Sequence, residues 1–343
     1  MRQNQEANHA MRRLVLLSIL LAIVVIGLGA YTRLTHAGLG CPDWPTCYGL
    51  LDVPETSTQI TAAEQAFPDR PVEPAKAWNE MIHRYFAGSL GLLILAIAFI
   101  AIKQRKQGTP VFLPLIILSI VIFQAALGMW TVTMKLMPII VMGHLLGGFT
   151  TLCLLFLLYL RLKSDHASIT NASVKRYHNF ALIGVLILTM QIALGGWTSS
   201  NYAALTCVEL PICQGDWLTQ LSFDNAFNPF PEEKSTYEFG HLPHNERLTI
   251  HVVHRLGAVI TSLYLVWLAL IVCRRTRNRT IKNASLFMMT ILTAQVSLGI
   301  SNIWFHLPLK VAVAHNLVAA ILMLSLISLT YKLRKNTEDI HYG

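Results

Sequence analysis

The chain has 343 residues, 54% of them hydrophobic and only 13% charged, with a net charge of +9. So few charges over so much apolar sequence exclude a disordered chain and an ordinary water-soluble domain, and they mark an integral membrane protein. The positive charge is set out by topology, which argues against a nucleic-acid partner: with the N-terminus placed inside, 18 of the 27 Lys and Arg residues fall on inner segments and 14 of the 18 acids on outer ones.

Eight apolar stretches are long enough to span, given the roughly 20 residues a helix needs. They lie near 14–32, 81–102, 111–133, 139–160, 179–199, 248–272, 284–305 and 309–331. The expected fold is an all-α integral membrane protein of eight transmembrane helices. The first stretch follows basic residues as a secretory signal would. No small-residue cleavage site follows it cleanly, and the fifth stretch has similar flanks, so a retained span is expected. No Arg-rich, acid-poor transit peptide is present, which favours a bacterial plasma membrane.

The first span ends in Gly29-Ala30-Tyr31-Thr32-Arg33 and leads to Cys41-Pro42-Asp43-Trp44-Pro45-Thr46-Cys47. The fifth ends in Gly195-Gly196-Trp197-Thr198 and leads to Cys207 and Cys213. Gly29/Gly195, Thr32/Thr198, Cys41/Cys207 and Cys47/Cys213 share an offset of 166 residues. From the second span onward the offset is 171: His83 matches His254, Gln124 matches Gln295, Gly128 matches Gly299 and His144 matches His315. The sequence therefore reads as a tandem duplication of a four-helix unit, 12–163 followed by 175–335. An even number of spans per unit makes both units cross in the same direction, related by a pseudo-two-fold axis along the membrane normal. Two long outer loops, about 34–80 and 200–247, are expected to form folded caps.

The second span opens on Glu80-Met81-Ile82-His83-Arg84, and the sixth on His251-Val252-Val253-His254-Arg255. Titratable groups at a bilayer are costly and point to function. Following the chain direction, His83 and His144 come to similar depth near the outer face, and His254 and His315 repeat that arrangement. Imidazoles from facing helices of a bundle are suited to holding a haem iron. Small neighbours fit a flat macrocycle: Ala87, Gly147 and Gly148, Gly257 and Ala258, Ala312 and Ala319. The same small residues also suit close helix packing. Two ligands per unit favour haem over a four-ligand structural zinc. Arg84 and Arg255 follow the histidines and are candidates to pair with haem propionates, or else interfacial anchors that snorkel; Arg33 is a weaker candidate for the same role. Glu80 has no carboxylate counterpart, since His251 occupies its place. One turn before His83, it is either an acid–base group at the haem edge or a residue favoured by the helix dipole.

Cys41/Cys47 and Cys207/Cys213 are pairs with five residues between them, on the side where disulfides form readily. A disulfide within each pair, or a redox relay through one of them, fits this placement. Cys153 and Cys273 read as ordinary buried thiols.

Taken together, the duplicated four-helix units, the histidine on each even span, the Glu-x-x-His-Arg mouth and the paired cysteines resemble the haem A synthase family. The stretch from Gly29 to Cys47 is similar to its bacterial, cysteine-containing branch, and the resemblance covers about 12–332. It implies haem O as substrate and oxidation of a ring methyl to a formyl group through an alcohol, giving haem A for terminal cytochrome oxidase. It implies further that His83 and His144 flank haem O, that His254 and His315 ligate a haem b cofactor, and that Glu80 is the catalytic carboxylate. The implied partners are the lipid bilayer, haem O synthase, cytochrome oxidase assembly and further copies of the same protein. The resemblance identifies no electron partner. A di-haem b-type electron-transfer protein shares every histidine argument but leaves Glu80 unexplained. A transporter would put its polar groups near the midplane.

Overall fold

Nine α-helices make up the described part of the computed structural model, which covers residues 2–107, 109–163, 175–211, 213 and 215–338. They are α1 (Arg2–Leu34), α2 (Ser57–Ala66), α3 (Pro74–Lys103), α4 (Phe112–Thr133), α5 (Pro138–Leu162), α6 (Lys175–Ser200), α7 (His244–Arg275), α8 (Arg279–Trp304) and α9 (Leu309–Glu338). All but α2 are long and apolar enough to cross a membrane. No strand occurs among the described residues. A helix satisfies its backbone polar groups internally, as hydrocarbon requires. Large apolar side chains such as Leu92, Phe99, Ile122, Leu186 and Leu263 are left on the outside of the spans, where lipid replaces water. Lys335, one of the expected inner basic residues, lies outside the side chains described.

The chain divides into two compact units. The first holds residues 1–158 with Ser199–Tyr202 and Phe227–Pro243, and the second holds Tyr159–Thr198, Ala203–Ala226 and everything from His244 onward. Two pieces of the second long loop thus group with the first unit. The reason is specific bonding: Tyr237 donates its backbone N–H to the Lys135 carbonyl (3.1 Å), Arg70 pairs with Glu238 (3.3 Å), and Arg33 reaches the Ser199 carbonyl (2.6 Å).

In the first unit α3 packs against α1 and α4. Here α3 begins at Pro74, about two turns before the apolar stretch expected at 81. Proline suits the first helical turn, where its missing N–H is no loss. These extra turns lie under the disulfide loop rather than in lipid. Ala77 and Met81 pack with Cys41, Cys47, Tyr48 and Val53, and Phe67, Val72 and Trp78 close the edge. Asp43 organises the loop, accepting from the Tyr48 N–H (2.6 Å), the Gly49 N–H (2.8 Å) and the Thr46 hydroxyl (2.5 Å). The second unit, in which α8 packs against α7 and α9, repeats the device: Cys207 and Cys213 pack on Leu248 and Val252 of α7, with Trp217 and Leu221 at the edge. Both cysteine pairs are disulfides, Cys41–Cys47 and Cys207–Cys213.

Gly40 is the tightest point of the first loop. A Cβ there would lie 2.6 Å from the carbonyl carbon and oxygen of Lys76 and 2.7 Å from the Ala77 nitrogen. These are backbone atoms that cannot swing aside. Gly40→Ala is therefore expected to lift the loop off α3 and destabilise it by about 1–3 kcal/mol, the usual range for overpacking. The measurement is the thermal midpoint together with alkylation of Cys41 and Cys47 under mild reductant. An unchanged midpoint and unchanged thiol access would show that the loop does not depend on this approach.

Candidate haem sites

His83 stands in the third turn of α3, and His144 in the second turn of α5. Their rings face one another in the first unit, with centroids 6.4 Å apart and planes crossing at 81°. An imidazole nitrogen binds a metal at about 2.0–2.1 Å, and its ring centre lies about 1.1 Å further back. Two imidazoles in line on one iron thus put their centroids about 6.3 Å apart. The observed separation fits a single iron between the rings. In the second unit the matching histidines are His254 of α7 and His315 of α9.

Each of the four rings rests on a glycine of a neighbouring span. A Cβ on Gly29 would meet His83 Cε1 at 3.0 Å, on Gly128 His144 Cε1 at 3.3 Å, on Gly195 His254 Cε1 at 3.1 Å, and on Gly299 His315 Cε1 at 3.2 Å. These cradles leave room for a ring but not for a further side-chain atom beside it. His83, His144 and His315 each keep a buried Nδ1 without a hydrogen-bond partner. Buried polar atoms are normally satisfied, so orphaned imidazoles at facing positions fit a ligand that the protein itself does not supply. Among the described residues no three His, Cys, Asp or Glu side groups gather as a small-ion site. A pair of imidazoles suits a macrocycle that brings its own equatorial ligands.

The glycines belong to a short motif that sequence reading recognised only in part. Gln124-Ala-Ala-Leu-Gly128 and Gln295-Val-Ser-Leu-Gly299 were legible as matching pieces of the repeat. Gln191-Ile-Ala-Leu-Gly195 and Val25-Ile-Gly-Leu-Gly29 complete a set of four. The residue one turn before each glycine stands near a histidine. Gln124 Nε2 donates to the His144 carbonyl (2.8 Å). Gln191 Nε2 lies 3.0 Å from His254 Nδ1 and 3.1 Å from its carbonyl. Gln295 Nε2 lies 3.3 Å from His315 Nε2. The signal was the Leu-Gly pair recurring on every odd span, near its outer end.

Glu80 and Arg84 sit on either side of His83 and clasp the disulfide loop. Glu80 is 4% exposed. Its Oε2 accepts from the Cys41 N–H (3.0 Å) and its Oε1 pairs with Arg84 Nη2 (2.5 Å). Arg84 also donates to the carbonyls of Thr46 (2.7 Å), Asp43 (3.0 Å) and Pro45 (3.2 Å). The second unit keeps this pattern with other chemistry. Arg255 donates to the Glu209 carbonyl (2.9 Å) and the Cys207 carbonyl, and its Nε donates to His251 Nε2 (3.1 Å). His251 Nδ1 lies 3.4 Å from the Thr206 hydroxyl. Both guanidinium groups are thus committed to loop carbonyls, a use that sequence alone did not suggest. Arg33 lies over the Tyr202 ring, 4.0 Å from its centroid, with its Nε buried and unpartnered. His36 stacks on the same ring at 5.7 Å. Burial, then the nearby Arg33, holds this imidazole below its usual pKa.

Comparison with known proteins agrees with this architecture. Residues 12–327 match the model of the cytochrome oxidase assembly protein family, COX15-CtaA. The chain is 50% identical over 318 residues to the haem A synthase of Shewanella oneidensis, covering 93% of this chain and 95% of that one. It is 26% identical to that of a Chelativorans species, over 89% of this chain and 85% of the relative. It is 27% identical to that of Wolbachia pipientis, over 88% and 91%. With two imidazoles set one iron apart, four glycine-cradled histidines and this extent of likeness, the chain belongs to the haem A synthase family.

Proposed function

We propose that the protein converts haem O to haem A by oxidising a ring methyl to a formyl group through an alcohol. The observation that carries this reading is the His83–His144 pair, spaced for one iron, in a sequence half identical to a haem A synthase. The N-terminal unit, 12–163, is the substrate side, where His83 and His144 bracket haem O. The C-terminal unit, 175–335, is the cofactor side, where His254 and His315 hold haem b. Haem b, when bound, would supply one-electron redox chemistry.

The protein's own contribution is binding, orientation and proton handling. The imidazoles fix the macrocycle between helices, and the apolar spans exclude bulk water. Glu80 is the catalytic carboxylate, able to hold or release a proton at Oε1 or Oε2 when its bonds to Arg84 and Cys41 rearrange. A propionate contact from Arg84 or Arg255 would have to share donors already given to loop carbonyls. Arg33, with a buried and unpartnered Nε, meets no such competition at that atom.

The protein is placed in the bacterial plasma membrane with both termini cytoplasmic and the disulfide loops periplasmic, on the strength of the charge distribution. Haem O synthase supplies the substrate, and cytochrome oxidase assembly takes the product. Extraction of bound haems from the purified protein and weighing by mass spectrometry tests the function. Haem O or haem A beside haem b is the expected result. Haem b alone would favour the di-haem electron-transfer protein.

A further inference from the structure

Three of the four histidines have a glutamine one turn before the glycine that cradles them; His83 has Val25. The contrast between equivalent positions is sharp. Val25 and Gln191 are 166 residues apart, the offset that relates the first span to the fifth. Gln191 places its amide 3.0 Å from His254 Nδ1. It can do so because α7 carries Gly257 beneath it, where a Cβ would lie 2.3 Å from Gln191 Oε1. At the matching position of α3, 171 residues earlier, stands Phe86. At this position the first unit therefore lacks the amide, and His83 Nδ1 has no hydrogen-bond partner.

The chemistry of this difference follows from the two imidazole nitrogens. A histidine that gives Nε2 to a metal carries its proton on Nδ1, and a partner at Nδ1 fixes the tautomer and ring orientation and strengthens the ligand. An Nδ1 that carries the proton donates, so the Gln191 amide, 3.0 Å away, serves it turned over, with Oε1 accepting from Nδ1–H. Gln124 and Gln295 occur at matching positions of both units, so they cannot distinguish the two sites. The Val25/Gln191 difference can.

We propose that Gln191 is a positioning residue that makes His254 a firm ligand, and that His83, with Val25 in the equivalent place, is the more exchangeable of this matched pair, so that haem enters and leaves through the first unit. This rests on the reading of both histidine pairs as haem ligands. It adds that one unit is built to keep its haem and the other to trade it. Removing a partner of this kind typically weakens a metal site about 10–100-fold.

The test uses purified, haem-loaded, full-length protein, reduced and exposed to carbon monoxide, which takes an axial position only where a ligand yields. Wild type is expected to bind carbon monoxide at the first-unit haem alone. Val25→Gln, made with Phe86→Gly to match Gly257 of the second unit, is expected to slow that binding about 10-fold or more. Gln191→Val is expected to open the second-unit haem to carbon monoxide and speed its loss to apomyoglobin by about 10–100-fold. Gln191→Glu, which keeps an acceptor for Nδ1–H, should restore retention. A merely structural role for Gln191 would leave the carbon monoxide spectrum of folded protein unchanged. The proposal is overturned if either swap leaves ligand exchange as in wild type, or if Gln191→Glu behaves like Gln191→Val. Single variants His83→Ala and His254→Ala separate this from failure of the underlying reading: if neither lowers haem content, the histidines are not ligands at all.

Discussion

Replacing Glu80 with Gln is expected to leave haem O bound while haem A formation falls by about 10²–10⁴-fold, the range for loss of a positioned acid–base group. Gln is the informative substitution because of the bonds that Glu80 makes. Its side-chain oxygen can still accept from the Cys41 N–H, now made at 3.0 Å. Arg84 keeps its carbonyl acceptors on Asp43, Pro45 and Thr46. The loop should therefore stay docked while the titratable group is gone. Glu80→Ala removes the clamp as well, leaving the buried Cys41 N–H and one N–H of Arg84 Nη2 without their acceptor, at a cost of about 1–3 kcal/mol for each lost partner. Its failure would not separate chemistry from folding. The measurement is the ratio of haem A to haem O extracted from membranes, with bound haem counted from the absorbance spectrum. Wild-type haem A production by Glu80→Gln would remove Glu80 from the chemistry and leave it as the residue that holds the loop.

His254→Ala should cost the protein about half of its bound haem, the share held by the second unit, while the first unit keeps its own. The expected effect is large because a pair proposed to supply only two ligands would lose half of the protein's hold on the iron with either one. His144→Ala should do the same to the first unit. Haem per protein molecule and the identity of the remaining haem, read by extraction, check both. Loss of haem b from His254→Ala and of haem O or haem A from His144→Ala is the expected division. Loss of the same haem from both variants would mean that the two pairs are not assigned to separate haems.

Much of this was legible in the sequence, and the exceptions have physical causes. The spans show in hydropathy because lipid demands apolar side chains over a set length. The outer turns of α3 and α7 do not, because they are covered by protein and carry mixed residues. Glu80 therefore looked like the mouth of a helix when it stands in the second turn of one that starts at Pro74. The four histidines stood out by their equal spacing. Their glycine cradles were visible only as repeat markers, since spacing along a sequence does not say which neighbouring group a glycine makes way for. The commitment of Arg84 and Arg255 to loops had no sequence signature, because their acceptors are backbone carbonyls, which every residue carries.

The double tether on Glu80 bears on regioselectivity. A carboxylate held at one oxygen by a guanidinium and at the other by an amide N–H cannot sweep across a substrate. As the acid of the reaction it would act only within the short reach that loosening those two bonds allows. The choice among chemically similar methyl groups would then be made by how the macrocycle is clocked about its axial ligands, before any bond changes. Substitutions that alter the product's substitution pattern should accordingly be sought around the rim and the apolar tail, not at the acid.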